Sequence, residues 1–408
     1  MPAQTADVAR LWQRLAPERW PLKAEDLPAG SALVGGAVRD ALLGRLAPEP
    51  DLDVVVPQGA IALCRRLAKR LGGSPVVLDQ ERDIARLVLA GWTLDLAAWE
   101  GDSLESDLRR RDYSINAIAL PLAPGAALLD PSGGLQALAR GELVAISSAN
   151  LRSDPLRLLR GLRLACELGL SLEPQTQTWI AALGELMAAV AGERVLAELE
   201  KLCTAPAGHT GLLQVQRSGL LTPWLQQAPP LAALPRLDAT HAEALGLQAS
   251  EWSWALPLAR LACLADGAAL ERLRSSRALQ KRVQALRQQL QVLGGRPLQA
   301  LDEAPRLALQ QDLEADLPAL LLLTADPDSE ALLARWRDPS DPLLHPRPPV
   351  NGTVLAQRLQ LRPGPGLGQL LQHLCGEQAF GRLPPGSSAD AIDAAAQAWL
   401  ARQGEPPA

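Results

Sequence analysis

The segment from Leu33 to Val56, LVGGAVRDALLGRLAPEPDLDVVV, carries the side chains best suited to chemistry. Asp51 and Asp53 stand at the start of a strand-like run that continues through the apolar residues Val54–Val56. Residues two apart on a strand point to the same face of the sheet, so the two carboxylates lie side by side. Carboxylate oxygens bind divalent cations, and we therefore predict a metal site on this strand.

A glycine pair precedes these aspartates by about one helix. Gly35 and Gly36 are expected to form a tight turn, followed by a helix that carries Arg39. A turn without side chains lets phosphate groups approach the backbone, and the N-terminus of a helix attracts their negative charge. An isolated Asp-x-Asp pair is usually a solvated strand end. Beside this turn, however, the pair predicts phosphoryl or nucleotidyl transfer from a nucleoside triphosphate.

Together, the segments GGAVRDALLG and DLDVVV resemble the nucleotidyltransferase signature of class II tRNA nucleotidyltransferases and bacterial poly(A) polymerases. The resemblance implies a polymerase-β-like α/β head, with a small mixed sheet and helices. It implies that Asp51 and Asp53 hold catalytic Mg²⁺ ions. It also assigns nucleotide binding to the turn at Gly35 and Gly36, and phosphate contact to Gly36 and Arg39.

Two further parts of the head contain candidate residues. Asp95, in the strand-like segment TLDLAAWEG, fits either a third carboxylate of the metal site or an ordinary aspartate at a strand end. Arg110–Ala117, RRDYSINA, agrees at eight consecutive positions with the family motif R-R-D-[FY]-[ST]-I-N-A. An arginine run by itself is commonly a solvated helix end. By the resemblance, Arg111 and Asp112 read the ribose of the nucleotide.

The segment SDPLRLLRGLRLACELGL carries charged residues at every third position. At about 100° per residue, the first three of them lie within roughly a third of a helix circumference, which is also typical of a salt-bridged amphipathic helix. The resemblance implies instead that Asp154 and Arg157 pair with the Watson–Crick edge of CTP or ATP, in place of a nucleic-acid template. Arg160 and Arg163 would then contact phosphate or support the helix. Ser153 stands where members often have Glu.

The segment between Asp95 and Arg110 is short, with only fourteen residues. By the resemblance, members that complete the whole CCA end usually carry a longer flexible loop here, which helps the pocket change from CTP to ATP. The short segment therefore favours a CC-adding enzyme, with a separate enzyme adding the terminal A. Completion of the whole CCA end and addition of A alone stay open at this point.

Composition and length suggest a protein of several domains. At 408 residues the chain exceeds one ordinary core. Its net charge of −5 neither indicates nor excludes a nucleic-acid binder, because phosphate contacts depend on local patches. Five scattered cysteines without a C-x-x-C pair indicate a reducing compartment. No apolar run approaches the roughly 18 residues of a membrane helix, and we expect a cytoplasmic protein that does not bind membranes.

Hydrophobic periodicity predicts one small sheet, with helices after it. The predicted strands are Ala32–Val34, Asp51–Val56, Pro75–Leu78, Ile84–Leu89 and Thr93–Ala97. Ile115–Leu120 is expected to be a further strand, or the end of a helix running into one. The main predicted helices are Ala60–Leu71, Leu156–Leu168, Gln175–Val190, Arg194–Leu202, Glu251–Ala265 and Leu279–Leu293.

These elements predict an α/β head followed by an all-α neck, body and tail. The predicted domains are an N-terminal helix and linker at 1–30, the head at 31–146, a neck with the base-reading helix at 147–230, a body at 231–340, and a tRNA-binding tail at 341–408.

The reaction implied by the resemblance is template-independent addition of C, as CC or CCA, to the 3′ end of tRNA from CTP and ATP, with release of pyrophosphate. The nearest alternative is a poly(A) polymerase of the same family, whose members tend to be more basic. A metal-dependent RNA phosphodiesterase would need the same carboxylates but no base-reading helix. A non-catalytic RNA-binding relative would be expected to lose Asp51 or Asp53, and both are present.

Overall fold

The chain forms two units in a computed structural model that describes residues 2–123, 125–225 and 231–403. Unit 1 comprises Met1–Val190 and Val215–Leu220, and unit 2 comprises Ala191–Gln214 and Leu221–Ala408. The finer division into head, neck, body and tail stays a prediction. Its boundary at residue 230 lies outside the described residues.

The strands of unit 1 form one mixed sheet and one small pair, as expected for an α/β head. The sheet consists of β1 (Ala32–Val34), β2 (Leu52–Val56), β3 (Ser74–Asp79), β4 (Ile84–Leu89), β5 (Trp92–Ala98) and β6 (Leu120–Pro121). Its strand order is β3-β4-β5-β2-β1-β6. Only the central pair, β2 and β5, is parallel, and the other neighbours are antiparallel. The small parallel pair is β7 (Glu142–Leu143) with β8 (Ser171–Leu172).

The helices of unit 1 surround the sheet or follow it. They are α1 (Pro2–Leu15), α2 (Gly35–Leu43), α3 (Ala60–Leu71), α4 (Leu104–Arg109), α5 (Gly134–Arg140), α6 (Ser148–Ser153), α7 (Leu156–Leu168) and α8 (Pro174–Ala182). The predicted bounds of α3 and α7 are confirmed. The helix predicted over Gln175–Val190 is interrupted after α8, and Gly184–Ala189 continues as a 3₁₀ helix.

The prediction of an all-α chain after residue 147 is wrong at β8, because Ser171–Leu172 pairs with β7; from residue 192 to residue 403 the described elements are all helical, as predicted. They are α9 (Gly192–Thr204), α10 (Gly208–Arg217), α11 (Ala239–Ala244), α12 (Ala249–Leu264), α13 (Gly267–Arg272), α14 (Arg277–Leu293), α15 (Glu303–Leu313), α16 (Leu317–Thr324), α17 (Ser329–Trp336), α18 (Gly352–Leu359), α19 (Pro365–Ala379) and α20 (Ala389–Gln403). None of the helices in the described part of the chain is long and apolar enough to span a membrane.

A continuous strand over Ile115–Leu120 is the one wrong strand prediction. Ser114–Asn116 forms a 3₁₀ turn, and only Leu120 and Pro121 pair with β1. Ile115 and Leu120 are fully buried, so the apolar pattern correctly indicated a core segment. Short polar side chains such as those at 114 and 116 favour local turns over a ladder. The second reading, a helical end running into a strand, describes the segment better.

The side chains of β2 and β5 alternate between two different faces of the sheet. Leu94 and Leu96 are buried in a cluster with Leu52 and Val54, where α2 and α3 also pack. Burial of each such side chain contributes about 1.5–3 kcal/mol. Asp95, between the two leucines, must therefore point to the opposite face. The apolar face thus fixes the orientation of the acidic one.

Tyr113, the only tyrosine of the chain, links the head to α7. Its side chain is fully buried, and its hydroxyl donates a hydrogen bond to the carbonyl of Arg157 at 2.8 Å. Burial raises the pKa of this phenol, so it stays protonated and remains a donor. A Cβ at Gly161 would lie 2.0 Å from the Tyr113 hydroxyl. Only glycine therefore lets α7 approach the tyrosine ring this closely.

Gly161→Ala should destabilise unit 1 by about 1–3 kcal/mol, because the added methyl group overlaps a fully buried ring. Gly368→Ala is the matched control, since Gly368 also lies inside a helix and a Cβ there would meet no atom within 4 Å. The control should leave stability unchanged or raise it slightly through helix propensity. Scanning calorimetry of both variants measures the difference. Equal melting profiles would contradict the Tyr113 packing argument.

Candidate active site

Asp53 and Asp95 are direct neighbours across the central parallel pair of strands. The register of β2 and β5 sets Asp53 opposite Asp95. Residues in register share one face of the sheet, so both carboxylates lie on the face opposite the leucine cluster. Asp51 is exposed one residue before β2 begins. The structure therefore places the three predicted catalytic aspartates along one sheet face or at its end.

The glycine turn lies directly against Asp53. Gly35 begins α2 with a φ of 72°, and a Cβ there would come within 2.7 Å of Asp53 Oδ2. Glycine is required at this position both for its backbone conformation and for the space. The backbone N–H of Gly36 donates to the Asp53 carboxylate. The first turn of α2 thus lies against the acidic site and directs the Gly36 N–H at it.

Asp53 is the electrostatically strained member of the site. Burial, with the nearby charges of Asp95 and Asp51, raises the pKa of its carboxyl from 3.8 to about 6. Arg111 and the Gly36 N–H oppose this shift without cancelling it. A buried carboxylate with other carboxylates nearby is a setting in which a cation is strongly favoured.

Asp95 has a partner that the sequence did not reveal. Arg86, opposite it on β4, donates from Nε to Oδ1 and from Nη2 to Oδ2, both at 2.8 Å. Both oxygens of Asp95 are therefore held by one guanidinium. The sequence of β4 shows which of its residues share a face with Arg86. It does not show that the strand register sets Arg86 opposite Asp95.

A chain of polar contacts joins the glycine helix to α7. Arg39, almost buried, makes two hydrogen bonds to Asp40 and donates to Asn116 Oδ1 at 2.7 Å. Asn116 in turn donates to Asp112 Oδ1 at 3.3 Å, and Arg160 reaches Asp112 Oδ2 at 3.4 Å. Asn116 was not singled out from sequence. The phosphate role of Arg39 and the ribose role of Asp112 stay predictions.

The arginine run is held in place by several contacts. Arg111 donates to Asp107 Oδ2 at 3.1 Å, and its charge acts on Asp53. The amide nitrogen of Asn150 donates to the carbonyls of Arg109 and Arg111 at 2.8 and 2.7 Å. Asn150 thereby connects the run to α6, a contact for which the sequence contains no signal.

The predicted base-reading residues lie at the start of α7. Asp154 ends α6, just before α7 begins. Arg157 donates from Nη1 to the carbonyls of Asn150 and Arg110 at 2.9 and 3.1 Å, and burial lowers the pKa of its guanidinium. Arg163 pairs with Glu167 one turn further along the helix. The structure thus places Arg157 beside the segment Arg110–Ala117 and gives Arg163 a partner on its own helix.

The acidic face fits a divalent cation at Asp51 and Asp53. Both supply hard oxygen donors, and a cation would take the place of the proton that Asp53 retains up to about pH 6. In the described ranges, no three Asp, Glu, His or Cys side chains converge as a metal-ligand set. Asp95 faces Arg86 instead, so the structure favours a two-aspartate site.

Asp53→Asn should stabilise the metal-free protein at pH 7, although it removes a predicted catalytic residue. Below the ordinary pKa of 3.8 the proton is bound in both folded and unfolded states, so the charge costs nothing. The cost grows as pH rises from about 4 to about 6 and is constant above. At pH 7 the raised pKa of Asp53 corresponds to a loss of about 3 kcal/mol in the unfolding free energy of the wild-type protein. Urea unfolding in EDTA, below pH 4 and at pH 7, measures the difference in unfolding free energy between wild type and Asp53→Asn.

Asp51→Asn is the control for this measurement, because Asp51 is exposed and its charge is solvated. Its unfolding free energy should change by less than about 0.5 kcal/mol. A gain of equal size in both variants, or none in Asp53→Asn, would show that the charge of Asp53 is not strained.

Family comparisons agree with this geometry. The model of the poly(A) polymerase head domain matches residues 31–144, which contain the acidic face and the glycine turn. A second model, described as a probable RNA- and SrmB-binding site of polymerase A, matches residues 169–233.

Individual proteins give the same picture. A CC-adding tRNA nucleotidyltransferase of Synechocystis sp. is 37% identical over 85% of this chain and 89% of its own. An A-adding tRNA nucleotidyltransferase of Deinococcus radiodurans is 41% identical, over 48% of this chain and 44% of its own. In fold, the chain resembles a CCA-adding enzyme in complex with CTP, with a TM-score of 0.70, 21% identity and coverage of 92% and 91%. This chain belongs to the tRNA nucleotidyltransferase and poly(A) polymerase family.

Proposed function

We propose that this protein is a CC-adding tRNA nucleotidyltransferase that transfers two CMP units, one after the other, from CTP to the 3′ end of tRNA. One observation carries the proposal. The acidic face and the glycine turn are joined to α7, the proposed base-reading helix, by the buried ring of Tyr113 and by the hydrogen bonds of Asn116 and Asp112. A phosphodiesterase would need only the first of these two parts. The Synechocystis relative supports the choice of CC over other products.

The short connection between β5 and α4 supports the restriction to C. It consists of residues 99–103, and it is tied down at several points. Glu100 donates its backbone N–H to Asp107 Oδ1 at 3.1 Å and pairs with Arg110 at 2.5 Å. Ser103 and Ser106 cap α4 reciprocally. A connection held in this way has little freedom to reshape the pocket from a cytosine to an adenine site.

In the reaction, the 3′-oxygen of tRNA forms a bond to the α-phosphorus of CTP. The bond from that phosphorus to the oxygen bridging to the β-phosphate breaks, pyrophosphate leaves, and the hydroxyl proton passes to solvent. Mg²⁺ held by Asp51 and Asp53 would neutralise phosphate charge and lower the pKa of the attacking hydroxyl. The protein's own contribution is positioning, and the start of α2, whose Gly36 N–H is directed at the acidic site, lies where it could orient the phosphates.

Base choice follows from the chemistry of Asp154 and Arg157. The Watson–Crick edge of cytosine offers an amino donor and two acceptors, which suit a carboxylate and a guanidinium respectively. In the described part of the chain, the hydrogen bonds of Arg157 use Nη1, so Nε and Nη2 are available for a base. Uracil reverses the donor and acceptor at two of these positions and would leave polar groups unpaired.

The place of the reaction is proposed to be the cytoplasm. All five cysteines are buried and none of them forms a disulfide: Cys64, Cys166, Cys203, Cys263 and Cys375. Cysteines that form no disulfide are typical of a reducing compartment.

Transcripts of tRNA ending before CCA, after C and after CC test the proposed product. With Mg²⁺ and labelled CTP and ATP, supplied separately and together, we expect extension by two C and no addition of A to the CC-ended transcript. Addition of A to that transcript would mean a CCA-adding or A-adding enzyme. Long A tails would mean a poly(A) polymerase, and shortening without extension would mean a phosphodiesterase.

Arg157→Ala should reduce discrimination between CTP and UTP by roughly ten- to a hundredfold in kcat/KM, because the remaining contacts cannot reject the wrong base. Arg152→Ala is the matched control: Arg152 lies nearby on α6 but is exposed, and its loss should leave the ratio unchanged. Single-nucleotide incorporation with each triphosphate gives the ratio. An unchanged ratio in Arg157→Ala would remove this residue from base reading.

A further inference from the structure

We propose that Arg86 is a positioning residue that competes with the divalent cation for Asp95. The metal-free protein would then bind its cation through Asp51 and Asp53 alone, with Asp95 withheld by the guanidinium. This inference rests on the proposed function, because it concerns the cation that serves nucleotidyl transfer. It assigns a role to a residue that belongs to none of the sequence motifs.

The geometry of the pair leaves little room for a cation at Asp95. Nε and Nη2 of Arg86 each meet a different oxygen of Asp95 at 2.8 Å, the fork arrangement in which one guanidinium saturates one carboxylate. The register places Arg86 opposite Asp95, and Asp95 opposite Asp53, in one row across β4, β5 and β2. The positive charge therefore lies in the same row as the buried aspartate that most needs a cation.

Among the described residues, apolar side chains neighbour Arg86 on the side away from Asp95. Val76 stands opposite it on the edge strand β3, and Val88 follows two residues later on the same face. These two valines are 47% and 43% exposed and have no polar side-chain atoms. Asp51, Asp53 and Asp95 all favour the charged guanidinium and raise the pKa of Arg86. Asp95 is thus the acceptor to which Arg86 is bound.

The ion pair is nevertheless weak enough to be exchanged. The side chains of Arg86 and Asp95 are 42% and 26% exposed, so water screens their attraction. Loss of the guanidinium should therefore free Asp95 as a third oxygen ligand at modest cost to the fold. Cation affinity would rise, since each added carboxylate increases the charge of the site.

Binding of Mn²⁺ to the metal-free full-length protein tests this inference without reference to catalysis. Free Mn²⁺ is measured by electron paramagnetic resonance for wild type, Arg86→Gln, Asp95→Asn and the double variant. We expect Arg86→Gln to tighten binding by roughly three- to tenfold. Asp95→Asn in the wild-type background should weaken it only modestly, by up to roughly threefold, because the substitution removes one negative charge near Asp53 and leaves the Arg86 guanidinium without this partner. In the Arg86→Gln background, Asp95→Asn should abolish the gain.

Two control variants separate the possible outcomes. Arg82→Gln removes another positive charge close by, on the β3–β4 turn, where Arg82 is 62% exposed and 4.0 Å from its acidic neighbours. It should leave Mn²⁺ affinity almost unchanged. Arg86→Lys keeps the charge without the fork and should give an intermediate affinity. Thermal unfolding of each variant confirms that it is folded before binding is measured.

Weaker or unchanged binding in Arg86→Gln would overturn the inference. So would a large loss in Asp95→Asn alone, which would make Asp95 a direct ligand of the wild-type protein. Equal gains in Arg86→Gln and Arg82→Gln would show that Mn²⁺ affinity follows the overall charge of the protein and not the Arg86–Asp95 pair.

Asp53→Asn distinguishes these failures from failure of the proposed function. If Asp53→Asn does not weaken Mn²⁺ binding, the metal site itself is wrong, whereas a loss there combined with no gain in Arg86→Gln overturns only the role of Arg86.

Discussion

The parallel pairing of β2 with β5 is the constraint on which the active site depends. It sets the carboxylates of Asp53 and Asp95 side by side on one face, while the other face is fixed by buried leucines. Two negative charges on neighbouring strands, one of them buried, lower the stability of the folded state. The N–H of Gly36, the charge of Arg111 and the fork of Arg86 offset part of that opposition. The remainder is the electrostatic reason for which a cation at Asp51 and Asp53 is proposed.

A second requirement is that phosphate chemistry and base reading occur at a fixed separation. Two contacts of different kinds meet it. The ring of Tyr113 fills the space left by Gly161 and joins the head to α7 by packing. Asn116 and Asp112 join α2 to Arg160 on α7 by hydrogen bonds. Packing supplies the rigidity and the polar chain supplies the orientation that the proposed base-reading role of α7 requires.

Much of this arrangement could be predicted from the sequence. Alternation located the sheet strands, and apolar spacing gave the bounds of α3 and α7 correctly. Glycines next to an Asp-x-Asp pair indicated the reaction class, since both features are local. The run Ile115–Leu120 was misjudged because burial and strand pairing produce the same apolar pattern, and local polar groups turned the backbone before the ladder began.

The sequence by itself determined which chemical groups are present and which face of its own element each one occupies, because those depend on nearest neighbours and on a period of two or 3.6. Only the tertiary structure decided which of these faces meet. The pairing of Arg86 with Asp95 follows from the register of strands joined by a turn, and that of Asp53 with Asp95 from strands far apart in the chain. Register is set by how the apolar side chains pack as a group, which no single segment encodes.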